Sequence, residues 1–186
     1  EQTHESVREN FIEETYEVVE AIDNRDPVLL CEELGDVLLQ VMFHARMEEE
    51  RGSFTFDDVC NGICRKLILR HPHVFGDTEV SGTAQVLDNW DAIKQCSKSQ
   101  TTATETLESV ARSLPALMRA EKLLGRAKKA GYLDAAVPDD GDSSLGARLM
   151  RLVLEARESG TDAERELYEE CDRMTERVRA AEQSAE

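Results

Sequence analysis

The sequence predicts an all-α protein, and three observations carry that prediction. Apolar residues recur at helical spacing, as with Phe11, Ile12, Val18, Val19 and Ile22. Prolines are only four (Pro27, Pro72, Pro115 and Pro138), and each falls where a helix would start or stop. Capping residues and glycines punctuate the periodic stretches at intervals suited to helices.

A first helix is expected over residues 3–24, its apolar stripe forming core. Asp26-Pro27 then reads as an N-cap followed by proline in the first turn, opening a second helix that reaches about residue 51. Gly52-Ser53 breaks it. Thr55 and Asp58 have the spacing of a capping box for a third helix to about residue 70. His71-Pro72-His73 ends that helix, a glycine-containing loop runs from 76 to 82, and a fourth helix is expected over 83–95. Residues 97–112, rich in Ser and Thr at their start, read as a linker. Helices are expected again over 114–129, 145–158 and 162–182, with an Asp-, Gly- and Ser-rich loop at 134–144. The organisation read from this is a domain at 1–96, a linker at 97–112 and a second helical unit at 113–186. A faint repeat relates the two: shifted by 111 positions, residues 31–46 and 142–157 share five identities in sixteen, among them Gly35 with Gly146 and Arg46 with Arg157.

Among 186 residues, 39 are acidic and 22 basic, a formal net charge of −17. A chain so acidic repels nucleic acid phosphates, which argues against DNA or RNA as a partner. No apolar run approaches the ~20 residues needed to span a bilayer. The apolar fraction of 40% suffices for a core. Five cysteines with no Cys-x-x-Cys pair read as reduced thiols of a cytoplasmic protein. The charge is uneven: residues 1–50 hold 15 acids and 3 bases, whereas residues 51–100 hold 6 of each.

On a helical wheel Glu13, Glu14 and Glu17 fall within about 100° of one another, bordering the apolar stripe of the first helix. The second helix is apolar almost all round (Leu29, Leu30, Leu34, Val37, Leu38, Leu39, Val41, Met42, Phe43), which predicts a buried helix. Along it runs one polar stripe of Glu33, Asp36, Gln40 and His44. Two helices joined by a tight turn pack antiparallel, so Glu33 and Asp36 can face Glu14 and Glu17. Buried carboxylates need compensation, and the bases in this half are only Arg8, Arg25 and Arg46. A cation must supply it. All-oxygen ligands point to Mg²⁺, with Mn²⁺ as a substitute, and away from zinc. A di-iron bundle would draw Glu-x-x-His pairs from its helices, and neither of these carries one. His44 reads as a hydrogen-bonded core histidine or one that supports the ligands.

Glu13-Glu14-Thr-Tyr-Glu17 followed, after 15 residues, by Glu33-Leu-Gly-Asp36 resembles the EExxE…ExxD signature of the MazG nucleoside triphosphate pyrophosphohydrolases. The Gln2-Thr-His-Glu-Ser6, Arg70-His-Pro-His-Val-Phe-Gly76 and Asn89-Trp-Asp-Ala-Ile-Lys94 blocks resemble family blocks in family order, so the resemblance covers about residues 1–96. It implies a MazG-like antiparallel four-helix bundle in a homodimer that hydrolyses an NTP or dNTP to the monophosphate and pyrophosphate. It further implies Mg²⁺ bound by Glu14, Glu17, Glu33 and Asp36. Glu13 beside them is a candidate for orienting or deprotonating the attacking water. Lys66, Arg70 and Lys94 would contact the triphosphate. Trp90 would either stack on the base or anchor the fourth helix.

Family members usually carry a Cys-Pro-Trp-Asp stretch before Gln-Thr-His, so a missing N-terminal piece is expected. The Ser113-Leu-Pro-Ala-Leu-Met-Arg-Ala120 stretch resembles the start of a second MazG repeat, yet Ser144 and Ala147 stand where the first half has Glu33 and Asp36. That implies a degenerate, catalytically inactive repeat. A different class of function, a nucleotide-binding regulatory module with little turnover, is the alternative. The intact acid set argues against it.

Overall fold

The computed structural model describes residues 2–76, 82, 86, 90, 93 and 101–184. Every regular element among them is helical: α1 (Arg8–Asp23), α2 (Pro27–Glu50), α3 (Phe56–Arg70), the single turn α4 (Pro72–Phe75), α5 (Ala103–Glu108), α6 (Ala116–Lys129), the short α7 (Leu133–Ala136), α8 (Leu145–Ser159) and α9 (Ala163–Gln183). They fall into two compact units, residues 1–90 and 91–186. No helix among the described residues is long and apolar enough to cross a membrane.

In the first unit, α1 and α2 form an antiparallel hairpin. Cross-helix contacts run from Glu17 with Glu33 through Glu14 with Gln40 to His4 with His44, climbing one helix while descending the other. Asn24 caps α1, Arg25 turns the chain at a φ of 55°, and Asp26, in extended conformation, opens α2: its Oδ1 accepts from the Val28 and Leu29 amides at 2.9 and 3.1 Å. Pro27 occupies the first turn, where a missing N–H costs nothing. Asp26→Ala is expected to lower stability by about 1 kcal/mol. Urea denaturation checks it, and an unchanged midpoint would show that the cap contributes nothing.

Gly52, at a φ of 71°, turns the chain after α2. Thr55 and Asp58 then close the capping box foreseen for α3, with Asp58 N donating to Thr55 Oγ1 at 3.2 Å and Thr55 N donating to Asp58 Oδ2 at 2.9 Å. The first helix starts later than expected, at Arg8. Residues before it form a turn in which Thr3 N donates to Ser6 Oγ (2.9 Å) and Ser6 N donates to Thr3 O (3.1 Å). That turn lays His4 against the far end of α2. The His4 and His44 rings stack at 4.9 Å, and Phe11 meets His44 edge-on. His4 Nε2 lies 2.7 Å from Glu48 Oε1 and His4 Nδ1 lies 2.6 Å from His44 Nδ1, so one hydrogen-bonded chain links Glu48, His4 and His44. His44 is thus hydrogen-bonded as expected, but half-buried and not in a core.

The larger departure concerns α2, which is not enclosed by the described residues. Leu34, Leu38, Leu39, Met42 and Phe43 keep 42–52% of their surface, and only Gln40 and Ala45 are buried. On α1, Ile12, Val19 and Ile22 of the expected core stripe are likewise exposed, and α3 exposes Ile63, Leu67, Ile68 and Leu69. The reason is geometric: a helix apolar on all sides needs neighbours on all sides, and among the described residues α2 packs on α1 and α3.

The helix expected over 83–95 lies mostly outside the described residues. Val86, Trp90 and Ile93, which are described, are helical and half-buried. In the second unit, part of the expected linker is helical: Thr102 and Glu105 form a capping box for α5. The Arg126 guanidinium ties α5 to α6 through Thr106 O and Ser109 Oγ. Leu124, Ala127, Val110, Ala147 and Val153 make that unit's buried core. Gly160 ends α8 at a φ of 77°, and Asp162 caps α9.

Candidate metal centre

The two acid motifs meet where α1 and α2 face each other. Spacings of three and four residues keep Glu14 and Glu17 on one side of α1 and Glu33, Asp36 and Gln40 on one side of α2. The hairpin brings Glu14, Glu17 and Glu33 together, each offering one carboxylate oxygen within 4.8 Å of the others. No other group of three potential metal ligands occurs among the described residues. Asp36 stands beyond that trio, one turn along α2 from Glu33, close enough for its charge to act on Glu33. All four acids are half-buried.

The electrostatics are those of an uncompensated acid cluster. The Glu17 carboxyl is held above its ordinary value, first by burial and then by Glu33, with a hydrogen bond to Glu14 and the charges of Glu14 and Glu13 adding to it. Glu33 is raised as well, by burial first and then by Asp36, Glu32, Glu14 and Glu20. None of these contributors is basic. The donor set suits a hard divalent cation: oxygen atoms only, already gathered, with charge to spare.

A raised carboxyl binds its proton more tightly folded than unfolded. Without metal, such a group lowers stability as pH rises from the ordinary value of 4.5 through the raised one. Glu17→Gln is therefore expected to raise the melting temperature of metal-free protein at neutral pH and to lessen its decline above about pH 4.5. Melting curves in a chelator decide this. A variant that melts lower than wild type at pH 7 would show that Glu17 is compensated in the absence of metal.

The bases expected to meet phosphate are less closely gathered. Lys66 is exposed on α3 and Arg70 half-buried one turn later. The Arg70 guanidinium lies over the Trp90 ring, 5.2 Å from its centroid, so two of the expected substrate residues are brought together with each other. Lys94 lies outside the described residues. Glu13 is exposed beside the trio, and its charge acts on Glu17. In the second unit, Ser144 is the N-cap of α8, its Oγ accepting from Ala147 N, and Ala147 is buried. Ser144 and Ala147 thus serve helix capping and packing.

Sequence reasoning put Gln40 in the polar stripe but gave it no role. It is 5% exposed, and its Nε2 donates to Glu14 Oε1 at 3.4 Å. The available signal was an amide in register with Glu33 and Asp36 on an otherwise apolar helix.

The MazG nucleotide pyrophosphohydrolase domain matches residues 2–75. The Bacillus subtilis protein YabN is 51% identical over 122 residues, covering 66% of this chain and 25% of that protein. A nucleoside triphosphate pyrophosphohydrolase of Escherichia coli K12 is 44% identical over 132 residues, or 71% of this chain and 50% of the relative. A 26.1 kDa Streptomyces cacaoi protein from the blaB 3′ region is 39% identical over 182 residues, covering 97% of this chain and 74% of its own length. The chain therefore spans half of the E. coli enzyme's length and a quarter of YabN's. With the acid motifs on facing helices and the match running from Gln2 to Phe75, the chain belongs to the MazG family.

Proposed function

We propose that the chain is a Mg²⁺-dependent nucleoside triphosphate pyrophosphohydrolase, converting an NTP or dNTP to the monophosphate and pyrophosphate. The observation that carries this reading is the trio of Glu14, Glu17 and Glu33 gathered across the α1–α2 hairpin with no base among the charges acting on it. The E. coli relative is named a nucleoside triphosphate pyrophosphohydrolase, which supports the reading.

Glu14, Glu17, Glu33 and Asp36 would hold the ion. When bound, Mg²⁺ supplies Lewis acidity toward the phosphates, offsets charge on the leaving pyrophosphate and makes water a better nucleophile. Glu13 orients the attacking water or takes its proton. The water oxygen bonds to the α-phosphorus as the bond to the bridging oxygen breaks, and the electron pair leaves with pyrophosphate. Lys66, Arg70 and Lys94 meet the triphosphate as counter-charges. Trp90 holds the Arg70 guanidinium in place by the cation–π contact, which limits the directions in which that base can reach. The second unit is a degenerate, inactive repeat in a protein of the cytoplasm, and the active form is a homodimer.

The test is to incubate the protein with each NTP and dNTP and Mg²⁺ and identify the products. Monophosphate and pyrophosphate in equal amounts support the reading. Orthophosphate alone, or no turnover by folded protein that binds nucleotide, overturns it, the second result favouring a regulatory binding module.

A further inference from the structure

We infer that Gln40 is a positioning residue for the metal centre, fixing Glu14 through its side-chain amide; this rests on the reading of Glu14, Glu17, Glu33 and Asp36 as the Mg²⁺ ligands. Gln40 is the buried polar residue of the described chain, one turn beyond Asp36 on the same face of α2. Its orientation is dictated by chemistry. Only the NH₂ end can face a carboxylate, since turning the amide over would set oxygen against oxygen. The amide therefore donates to Glu14 Oε1, and its own Oε1 is buried with no hydrogen-bond partner among the described residues.

An amide so placed is expensive. A leucine or methionine of similar volume would fill the space without a stranded carbonyl. The gain must lie at the NH₂ end, and there glutamine has a property that no other long polar side chain offers. Lysine or arginine would pair with Glu14 and neutralise the charge the site needs. Glutamate would add to a cluster already strained by repulsion. A neutral donor orients the carboxylate without cancelling it. It occupies Oε1 of Glu14 and leaves the other oxygen for the cation, as partners behind metal ligands do elsewhere.

The experiment uses the full chain, stripped of metal and then titrated with MgCl₂ while its melting temperature is followed. Wild type is expected to gain stability with a saturable midpoint. Gln40→Leu is expected to melt no lower than wild type without metal, yet to need about tenfold or more Mg²⁺ to reach its midpoint. Gln40→Met serves in the same way should the leucine variant not fold. On a Glu14→Gln background, Gln40→Leu should shift the midpoint little further, because its effect passes through Glu14. Equal midpoints for wild type and Gln40→Leu, or an equal shift with and without Glu14, would overturn the role of Gln40 and leave the metal reading intact. No Mg²⁺ response from wild type would overturn both.

Discussion

Glu17→Ala and Asp36→Ala are each expected to lower pyrophosphate release by about a hundredfold or more while leaving the chain folded. The size follows from what the acids do together. A divalent ion on a transferring phosphoryl group stabilises the transition state by several kcal/mol, and every ~1.4 kcal/mol is tenfold in rate. Glu17 is one of three carboxylates that already share a volume a few ångströms across. Removing it takes away one of the proposed Mg²⁺ ligands and one of the trio's three carboxylates.

The same substitution separates site from scaffold, because metal-free stability should move in the opposite direction. Glu17 is held above its ordinary pKa by burial and by acidic neighbours, so its loss relieves the apo-protein. An inactive variant that melts higher in chelator, and gains less on adding Mg²⁺, shows lost function with a sound fold. Asp36→Ala should act alike, with Glu33 relaxing toward the ordinary carboxylate range once its neighbour's charge is gone. Rates within a few-fold of wild type for both variants would remove these acids from the mechanism.

Legibility in the sequence divides along a physical line. What is encoded by neighbours a turn apart could be read. The Asp26 cap, the Thr55–Asp58 box and the placing of Glu14, Glu17, Glu33 and Asp36 on two facing stripes all follow from spacing and one short connection. What depends on a third element could not. Periodicity states which faces of α2 are apolar and is silent on what covers them, so a helix read as buried turns out half-exposed in the chain. The Arg70–Trp90 contact joins residues twenty apart and gave no local sign. Helix α5 was hidden by composition: Thr102 and Glu105 are a capping box, but the Ser and Thr around them read as linker.

The exposed faces of α1, α2 and α3 lead to the second large expected effect, on association. Leu34, Leu38 and Met42 stand at four-residue intervals on the side of α2 away from Glu33, Asp36 and Gln40, each about half-exposed. Soluble monomers seldom expose continuous apolar patches above a few hundred Å², and homodimer interfaces are where such faces are usually buried. The protein is therefore expected to sediment as a dimer at micromolar concentration. Leu38→Lys combined with Met42→Lys should make it monomeric without touching the acid stripe. Completing the burial of a half-exposed Leu or Met contributes about 1 kcal/mol, and two-fold symmetry counts each residue twice. Four such contributions, before the cost of burying lysine, weaken the dimer by about 4 kcal/mol, nearly a thousandfold in Kd. Sedimentation equilibrium of both proteins decides the matter. A wild type that stays monomeric at tens of micromolar and binds no apolar dye would mean that the same chain covers this face. Such a result would leave the metal site standing and remove the dimer from its description.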